Sequence, residues 1–275
     1  MASPVTRRGP AHQPEYRHWP AASLLGSLAE EPRDQMVGLG RQMRFERGER
    51  LLREGEFGSH MFLLLSGWFK VVANTEDNRE ALIAVRAGGD IVGELACFDS
   101  LPRVATVMAA STGTTKLISR QDFLRFLASH EDVAQAVMCA VAGKLRWATR
   151  RRQEFGSCAV ETRVARVLAE LLRAYGQPCA SGVSLGVSLT QPELAALVGA
   201  SEPSVHRVLR SLRRERVIET GYRRILVTDV HELGRLAGGD GGAPLIPQPP
   251  RGGARSSLPG PSLPPRSPHG RYSGS

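Results

Sequence analysis

Long apolar runs are absent from this 275-residue sequence: no stretch of about 18 consecutive apolar residues occurs in it. This excludes a membrane-spanning helix, and without an apolar run near the start we also expect no secretory signal and a cytoplasmic protein. Cysteine is scarce as well. The four cysteines lie 42, 19 and 21 residues apart, which fits neither a CxxC zinc site nor a disulfide scaffold, so we expect no metal and small buried side chains.

The motifs of common enzyme classes are also missing, since the sequence has no GxSxG nucleophile elbow, no P-loop and no HExxH zinc motif. We therefore expect a protein that is not an enzyme. Lysine is rare, with 3 residues against 33 arginines, a skew that a GC-rich genome explains without any functional role.

Charge is distributed unevenly along the chain. The length predicts about two domains, and residues 23–143 have a net charge of −3 whereas residues 144–237 have a net charge of +7. A polyanionic partner is therefore expected to bind the second half of the chain.

Short apolar runs rich in β-branched residues, separated by glycine or charged turns, extend from about Met43 to Ser119. This pattern predicts an antiparallel β-roll, or jelly roll. From Gln121 the apolar residues recur at helical spacing, first in a short helix and then, after Glu131, in a long one. The fold class is therefore predicted to be α+β.

The long helix has one apolar stripe, with spacings of 4, 4 and 3 residues, formed by Val137, Val141, Leu145 and Ala148. A helix that projects from a β-roll must cover such a stripe. A two-fold partner helix is the simplest cover and predicts a homodimer, while packing against the protein's own β-roll is the alternative.

Two short helices joined by a glycine turn are predicted in the segment SLTQPELAALVGASEPSVHRVLRSLRRERVI. Thr190 and Glu193 form a capping box with Pro192 in the first turn, so a helix begins at Gln191. Gly199 supplies the turn, and Ser201 is expected to cap the second helix. This arrangement is a helix-turn-helix, and VIETGYRRILVTD after it predicts a hairpin wing.

The second helix is expected to enter the major groove of double-stranded DNA, because arginine can pair with guanine and the other basic groups can neutralise phosphates. A solvated basic face on an ordinary helical domain is the alternative. The residues expected to contact DNA are Thr190, Ser201, Glu202, Pro203, Ser204, His206, Arg207, Arg210 and Arg214.

The two ends of the chain are rich in Pro, Gly, Ser and Arg and poor in apolar residues, so they are predicted to be disordered. The expected division is a disordered segment over residues 1–22, a sensor domain over 23–130, a dimerisation helix over 131–158, a winged helix-turn-helix domain over 159–237 and a disordered tail over 238–275.

Taken together, the β-roll, the long helix and the helix-turn-helix resemble the cAMP receptor protein and fumarate/nitrate regulator (CRP/FNR) superfamily of bacterial transcription factors. The resemblance covers residues 40–237. It implies a β-roll of the cyclic-nucleotide-binding type, a long dimerisation helix and a C-terminal winged helix. It also implies a homodimer that binds a palindromic operator and contacts RNA polymerase, and no membrane partner.

The segment GDIVGELACFDSLPRVATV resembles the family's phosphate-binding cassette. The resemblance implies that Gly93 lets the backbone approach a ligand, that Glu94, followed by Leu95, accepts from a ribose hydroxyl, and that Arg103 pairs with a cyclic phosphate. Val104 stands where cAMP-binding members have Ser or Thr.

On the long helix, Ala148 and Thr149 stand where the cAMP receptor protein has a Thr-Ser pair that holds adenine, so one hydroxyl of the two is left. The ligand is therefore open between cAMP or cGMP, another small anion, and none. In the second helix of the helix-turn-helix, which is expected to contact DNA, Glu202 and Pro203 differ from the family's pattern and Arg207 matches it.

Two further function classes remain open from the sequence. One is a ligand-independent regulator with a vestigial sensor pocket. The other is a cyclic-nucleotide-responsive regulatory subunit, which the helix-turn-helix disfavours.

Overall fold

The structure, a computed structural model, describes residues 19–75, 80–221 and 224–238. Its first part consists of two short helices followed by eight strands with one inserted helix. In chain order these elements are α1 (Leu24–Ser27), α2 (Glu30–Gly38), β1 (Arg41–Phe45), β2 (Arg50–Leu52), β3 (His60–Ser66), β4 (Trp68–Asn74), β5 (Glu80–Ala87), β6 (Ile91–Val92), α3 (Glu94–Asp99), β7 (Thr106–Ala109) and β8 (Gly113–Ser119).

The strands form two antiparallel four-stranded sheets, with orders β1-β8-β3-β6 and β2-β7-β4-β5. Apolar side chains from both sheets, among them Phe62, Phe69 and Val107, form the buried core between them. The predicted β-roll is confirmed. Trp19, which the sequence assigned to a disordered segment, is instead held against the roll, because its indole Nε1 donates to the carbonyl of Leu65 at 2.9 Å.

Two consecutive helices follow the β-roll, α4 (Arg120–Ser129) and α5 (Glu131–Ser157). Val137 on α5 is buried against the protein's own β-roll, so placing it in a stripe that a partner covers was wrong. Further along α5 the side chain of Leu145 is 68 % exposed and that of Met138 64 %. The apolar face left open therefore shares Leu145 with the predicted stripe but passes through Met138 instead of Val137.

The C-terminal part contains α6 (Val160–Tyr175), β9 (Gln177–Cys179), β10 (Gly182–Ser184), α7 (Gln191–Val198), α8 (Glu202–Arg214), β11 (Ile218–Gly221), β12 (Arg224–Val227) and α9 (Val230–Leu236). A third antiparallel sheet has the order β11-β12-β10-β9. Gly221 pairs with Arg224 in the β11–β12 hairpin, which is the predicted wing.

The strand predicted from Val183 to Leu189 ends early, because β10 stops at Ser184. Gly186 there has a φ of +30°, and a Cβ on it would lie only 2.6 Å from the indole of Trp68. The chain leaves the sheet at this glycine so that Trp68 of the β-roll can approach it.

The two domains share one buried cluster, because Val72, Leu82 and Val85 of β4 and β5 pack with the inner faces of α6, α7 and α8. The register of β4 and β5 shifts between the pairs Val71–Ala84 and Val72–Leu82, so Ile83 is an extra, bulged residue. We call β4 and β5 the shared wall, since one face supports the C-terminal domain and the other, with Ile83 and Ala84, lines a cavity.

Among the residues that the structure describes, no helix combines the length and the apolarity needed to cross a bilayer. Only Cys97 of the four cysteines is buried, against the expectation for all of them; Cys139 and Cys179 are exposed.

Candidate ligand pocket and DNA-binding surface

A cavity of 650 Å³ lies between the shared wall, the β6–α3 turn and α5. Apolar side chains dominate its surface, as in most small-molecule sites. We call it the ligand pocket; its aliphatic lining consists of Leu52, Val71, Ile83, Ala84, Val92, Leu95, Ala96, Val104, Ala105, Val107, Val141, Leu145 and Ala148.

Arg103 is a buried cation in the wall of the ligand pocket, with 5 % of its surface exposed. Its Nη1 donates to the carbonyl of Gly93 at 2.6 Å and its Nη2 to that of His60 at 2.5 Å. Gly93 has a φ of +82°, and a Cβ on it would lie 2.7 Å from Arg103 Nη1. Glycine at this position therefore permits the bond that orients the guanidinium. Burial lowers the pKa of Arg103, and nearby Cys97, Glu94 and Glu56 oppose that shift.

Glu94 begins α3 beside Arg103 and is 4 % exposed. Its Oε1 accepts from Lys144 Nζ of α5 at 2.9 Å, and the same Nζ donates to the carbonyl of Ile91 at 2.8 Å. Burial lowers the pKa of Lys144, while the charge of Glu94 acts in the opposite direction. The long helix is thus joined by an ion pair to Glu94, the carboxylate for which the family resemblance implies a bond to a ribose hydroxyl.

Five of the six predicted ligand residues line this pocket, namely Gly93, Glu94, Leu95, Arg103 and Val104. Val104 is 66 % exposed and stands at the rim. Thr149 does not line the pocket; it lies on the exposed side of α5, and Ala148 takes its place in the wall. Sequence reasoning missed Lys144. The one feature that could have drawn attention to it is the rarity of lysine, which occurs three times in the sequence.

The helix-turn-helix begins with the predicted capping box, in which Thr190 Oγ1 accepts from Glu193 N and Glu193 Oε2 accepts from Thr190 N. Gly199 adopts a φ of +64° at the turn. Arg163, buried in α6, donates from Nη1 to the carbonyls of Val198 and Gly199 and so fixes this turn. Nothing in the sequence pattern indicated that role for an arginine on an apolar helix face.

Ser201 occupies the first cap position of α8 as predicted, but its hydroxyl donates to Ser204 Oγ instead of accepting from the helix backbone. Val205, Leu209 and Leu212 anchor α8 in the core. Of the residues expected to contact DNA, Thr190, Ser204 and His206 are half-buried, and the exposed ones are Ser201, Glu202, Pro203, Arg207, Arg210 and Arg214.

The α8 arginines differ in their partners. Arg213 donates from Nη1 to Thr220 Oγ1 and ties the wing to α8, and Arg214 Nη2 contacts Ser211 Oγ at 3.3 Å. Arg207 and Arg210 are exposed, and in the described part of the chain neither forms an ion pair. Their guanidinium groups are therefore available to an anionic partner.

The beginning of α7 lies against the β-roll. Glu193 Oε1 accepts from Lys70 Nζ of β4 at 2.5 Å, and Tyr175 at the end of α6 donates to Asp90 Oδ2 at 3.0 Å. Burial raises the pKa of Glu193, but the bonds from Lys70 and Thr190 outweigh this and leave it below its usual value. Thr190 is thus engaged in capping, at a helix end that faces the sensor domain.

Comparisons with known proteins agree with this architecture. Residues 42–130 match the cyclic nucleotide-binding domain family, and residues 162–236 match the Crp-like helix-turn-helix domain family. The chain is 27 % identical over 193 residues to the CRP-like cAMP-activated global transcriptional regulator of Mycobacterium tuberculosis, covering 70 % of this chain and 86 % of that protein.

It is also 26 % identical over 216 residues to the cyclic AMP receptor protein of Thermus thermophilus, covering 78 % of this chain and 97 % of that one. A crystal structure of a CRP-family transcriptional regulator from the same species superposes with a TM-score of 0.59 at 25 % identity, covering 72 % of this chain and 97 % of the other. With a cyclic nucleotide-binding domain followed by a Crp-like helix-turn-helix domain, the chain is a DNA-binding transcription regulator of the CRP/FNR type.

Proposed function

We propose that this regulator is a homodimer whose affinity for a palindromic operator is set by a small anionic ligand in the pocket. A sensor domain over residues 23–130 and a DNA-binding domain over 159–237 then communicate through α5 and the shared wall. The observation that supports this most is the position of Arg103, a buried cation without a carboxylate partner among the described residues, in a cavity that borders both connecting elements.

Dimerisation is supported by the open face of α5. Met138, Ala142, Leu145 and Thr149 follow one another at spacings of 4, 3 and 4 residues, the repeat of a two-stranded coiled coil. We call this face the α5 seam. It would place Thr149 of each chain at the interface, close to the pocket mouth that Leu145 borders. RNA polymerase is the further partner that the family suggests.

Gating requires ligand contacts that differ between two states of the protein. The Lys144–Glu94 pair supports this, because a ligand that contacts Glu94 also changes the environment of a charge on α5. The relatives named above are cAMP-activated or cyclic AMP receptor proteins, so cAMP and cGMP are the first ligands to test. A ligand-independent regulator with a vestigial pocket is the competing function.

The first prediction concerns Arg103. Replacing it with Gln removes the charge-assisted bond to an anion, so the affinity for a pocket ligand is expected to fall about tenfold to a hundredfold and its effect on DNA binding to disappear. Calorimetric titration with cAMP and cGMP, with operator affinity measured in parallel, tests this. Arg53→Gln, at an exposed arginine outside the pocket, is the control. Unchanged affinity in Arg103→Gln would place the ligand elsewhere.

The second prediction separates base contacts from phosphate contacts. Arg207, one turn into α8, is expected to contact a base, so Arg207→Ala should cost about 1–3 kcal/mol and relax preference at one position of each half-site. Arg214 lies at the end of α8, so Arg214→Ala should weaken binding to all sequences alike and reduce the salt dependence. Selection from a randomised operator measures both. The same preferred site for Arg207→Ala and wild type would make Arg207 a phosphate contact.

A further inference from the structure

We propose that the ligand of the pocket is an amphipathic anion, with one carboxylate-type group at Arg103 and an aliphatic or aromatic body among the pocket's aliphatic side chains, and that it binds more tightly than a cyclic nucleotide. This inference rests on the proposed function, because it concerns the same pocket. Three features support it: the chemistry of the inner wall, the residues after Arg103 and the unpaired charge of Arg103.

Three charged side chains besides Arg103 line the cavity, and each already has a partner: Lys144 is paired with Glu94, and Arg86 donates from Nη1 to the carbonyl of Val85 at 2.8 Å. The rest of the inner wall is aliphatic, so it offers a purine few side-chain hydrogen bonds. Ile83 and Ala84 of the shared wall and Val141 of α5 line the cavity, and the exposed Ala148 borders its mouth. Trp147 also borders the cavity, and its Nε1 already donates to Glu170 Oε2 at 2.9 Å. A purine carries several ring nitrogens and exocyclic groups, which would lose their bonds to water without replacement. A hydrocarbon body has no hydrogen bonds to water to lose, and burying its apolar surface in the pocket is favourable.

The residues after Arg103 offer no hydroxyl to a cyclic phosphate. Val104 and Ala105 line the cavity with aliphatic groups. The next hydroxyl, on Thr106, accepts from the backbone N–H of Glu54 at 3.0 Å and does not line the pocket. A phosphate diester at this place therefore has the side chain of Arg103 as its principal donor, which a simple carboxylate uses equally well.

The buried positive charge of Arg103 favours a ligand with an anionic group. Its bonds to the carbonyls of Gly93 and His60 use one N–H of each terminal nitrogen, which leaves Nε and two further N–H groups. No carboxylate within the described ranges lies within 4 Å of it, whereas Lys144 is paired with Glu94. A buried cation with no carboxylate in contact is costly even when Glu94 and Glu56 lie nearby, and a carboxylate accepts two parallel bonds from arginine.

The test titrates the full-length protein with octanoate, octanamide, cAMP and cGMP, measured by calorimetry and by the shift in unfolding temperature. Octanoate is expected to bind at least ten times more tightly than octanamide and more tightly than either nucleotide. In Arg103→Gln, octanoate should bind no better than octanamide. Tighter binding of cAMP or cGMP than of octanoate to the wild type would overturn the proposal.

Two variants make the result specific. Ala148→Trp, at an exposed helix position on the pocket mouth, fills the cavity without entering the β-roll core and should abolish octanoate binding. If octanoate binds Ala148→Trp as tightly as it binds the wild type, it binds outside the pocket, and the proposal is overturned. Val104→Thr restores a hydroxyl next to Arg103, so it should raise cAMP affinity about tenfold and change octanoate affinity less than twofold. No gain for cAMP would contradict the reasoning about the phosphate.

Measuring operator affinity in the same samples separates this inference from the proposed function. If octanoate binds through Arg103 and leaves operator affinity unchanged, the ligand class is supported and gating fails. If cAMP changes operator affinity and octanoate does not bind, gating is supported and the ligand class is wrong.

Discussion

Met138→Asp is expected to lower the affinity for a palindromic operator by about 10²–10⁴-fold, because two half-sites are then bound by separate monomers instead of one linked pair. Met138 is 64 % exposed at the start of the α5 seam and lines no pocket found in the described chain, so the substitution leaves the fold and the ligand pocket intact. In a dimer it would bring two carboxylates together in an apolar interface. Sedimentation and operator binding measure the effect.

Cys139→Asp is the matched control, since this exposed neighbour introduces the same charge into the same helix at about 100° from Met138. It should leave sedimentation and DNA affinity close to those of the wild type. A wild type that sediments as a monomer at micromolar concentration, or a Met138→Asp variant that stays dimeric, would rule out dimerisation through the α5 seam.

The largest loss of stability is expected for Glu154→Gln. Glu154, near the end of α5, has a side chain that is 4 % exposed; Arg166 Nη1 lies 3.0 Å from its Oε1, and Arg151 Nη1 lies 3.6 Å from its Oε2. In the variant Arg151 still has its ion pair with Glu170 at 2.7 Å. Arg166 is therefore the cation that loses its carboxylate partner. Removing one partner of a fully buried pair costs about 3–5 kcal/mol. Because the Arg166 side chain is 30 % exposed, we expect a cost at or below the lower end of that range, measured as the free energy of unfolding in urea.

Glu232→Gln provides the contrast for this experiment. Glu232 pairs with Arg235 at 2.5 Å, a shorter distance than at Glu154, but the side chains of Arg235 and Glu232 are 71 % and 32 % exposed on α9. Solvent screens this pair, so its loss should change the free energy of unfolding little. If Glu154→Gln and Glu232→Gln lower the free energy of unfolding equally, burial does not determine how much stability is lost with an ion pair.

Local signals in the sequence were sufficient for much of this fold. The capping box of Thr190 and Glu193, the turn at Gly199 and the wing at Gly221 depend on neighbours within a few residues, so they were predicted and are present. The short apolar runs separated by glycine or charged turns likewise predicted the β-roll. Such features follow from backbone preferences and side-chain periodicity, which a short window of sequence contains.

The parts that sequence reasoning missed depend on contacts between distant residues. Val137 has the same helical spacing as its neighbours, and only the position of the β-roll decides that it is buried there. Lys144 meets Glu94 across 50 residues, and Lys70 meets Glu193 across 123. A buried arginine such as Arg163, which bonds the turn at Gly199, carries no periodic signature at all.

The bulge at Ile83 has a consequence for how this regulator can diverge in evolution. In a regular strand neighbouring residues alternate between faces, but the extra residue places Ile83 and Ala84 together on the cavity side, with Leu82 and Val85 on the side of the DNA-binding domain. The cavity face thus has the adjacent pair Ile83 and Ala84, and the opposite face has the pair Leu82 and Val85 that flanks them. If the pocket binds a ligand as proposed, substitutions at the first pair would alter which molecule is recognised, and those at the second would alter the packing of the DNA-binding domain. Natural variation could then change the ligand of a descendant without changing its DNA-binding domain, or the reverse.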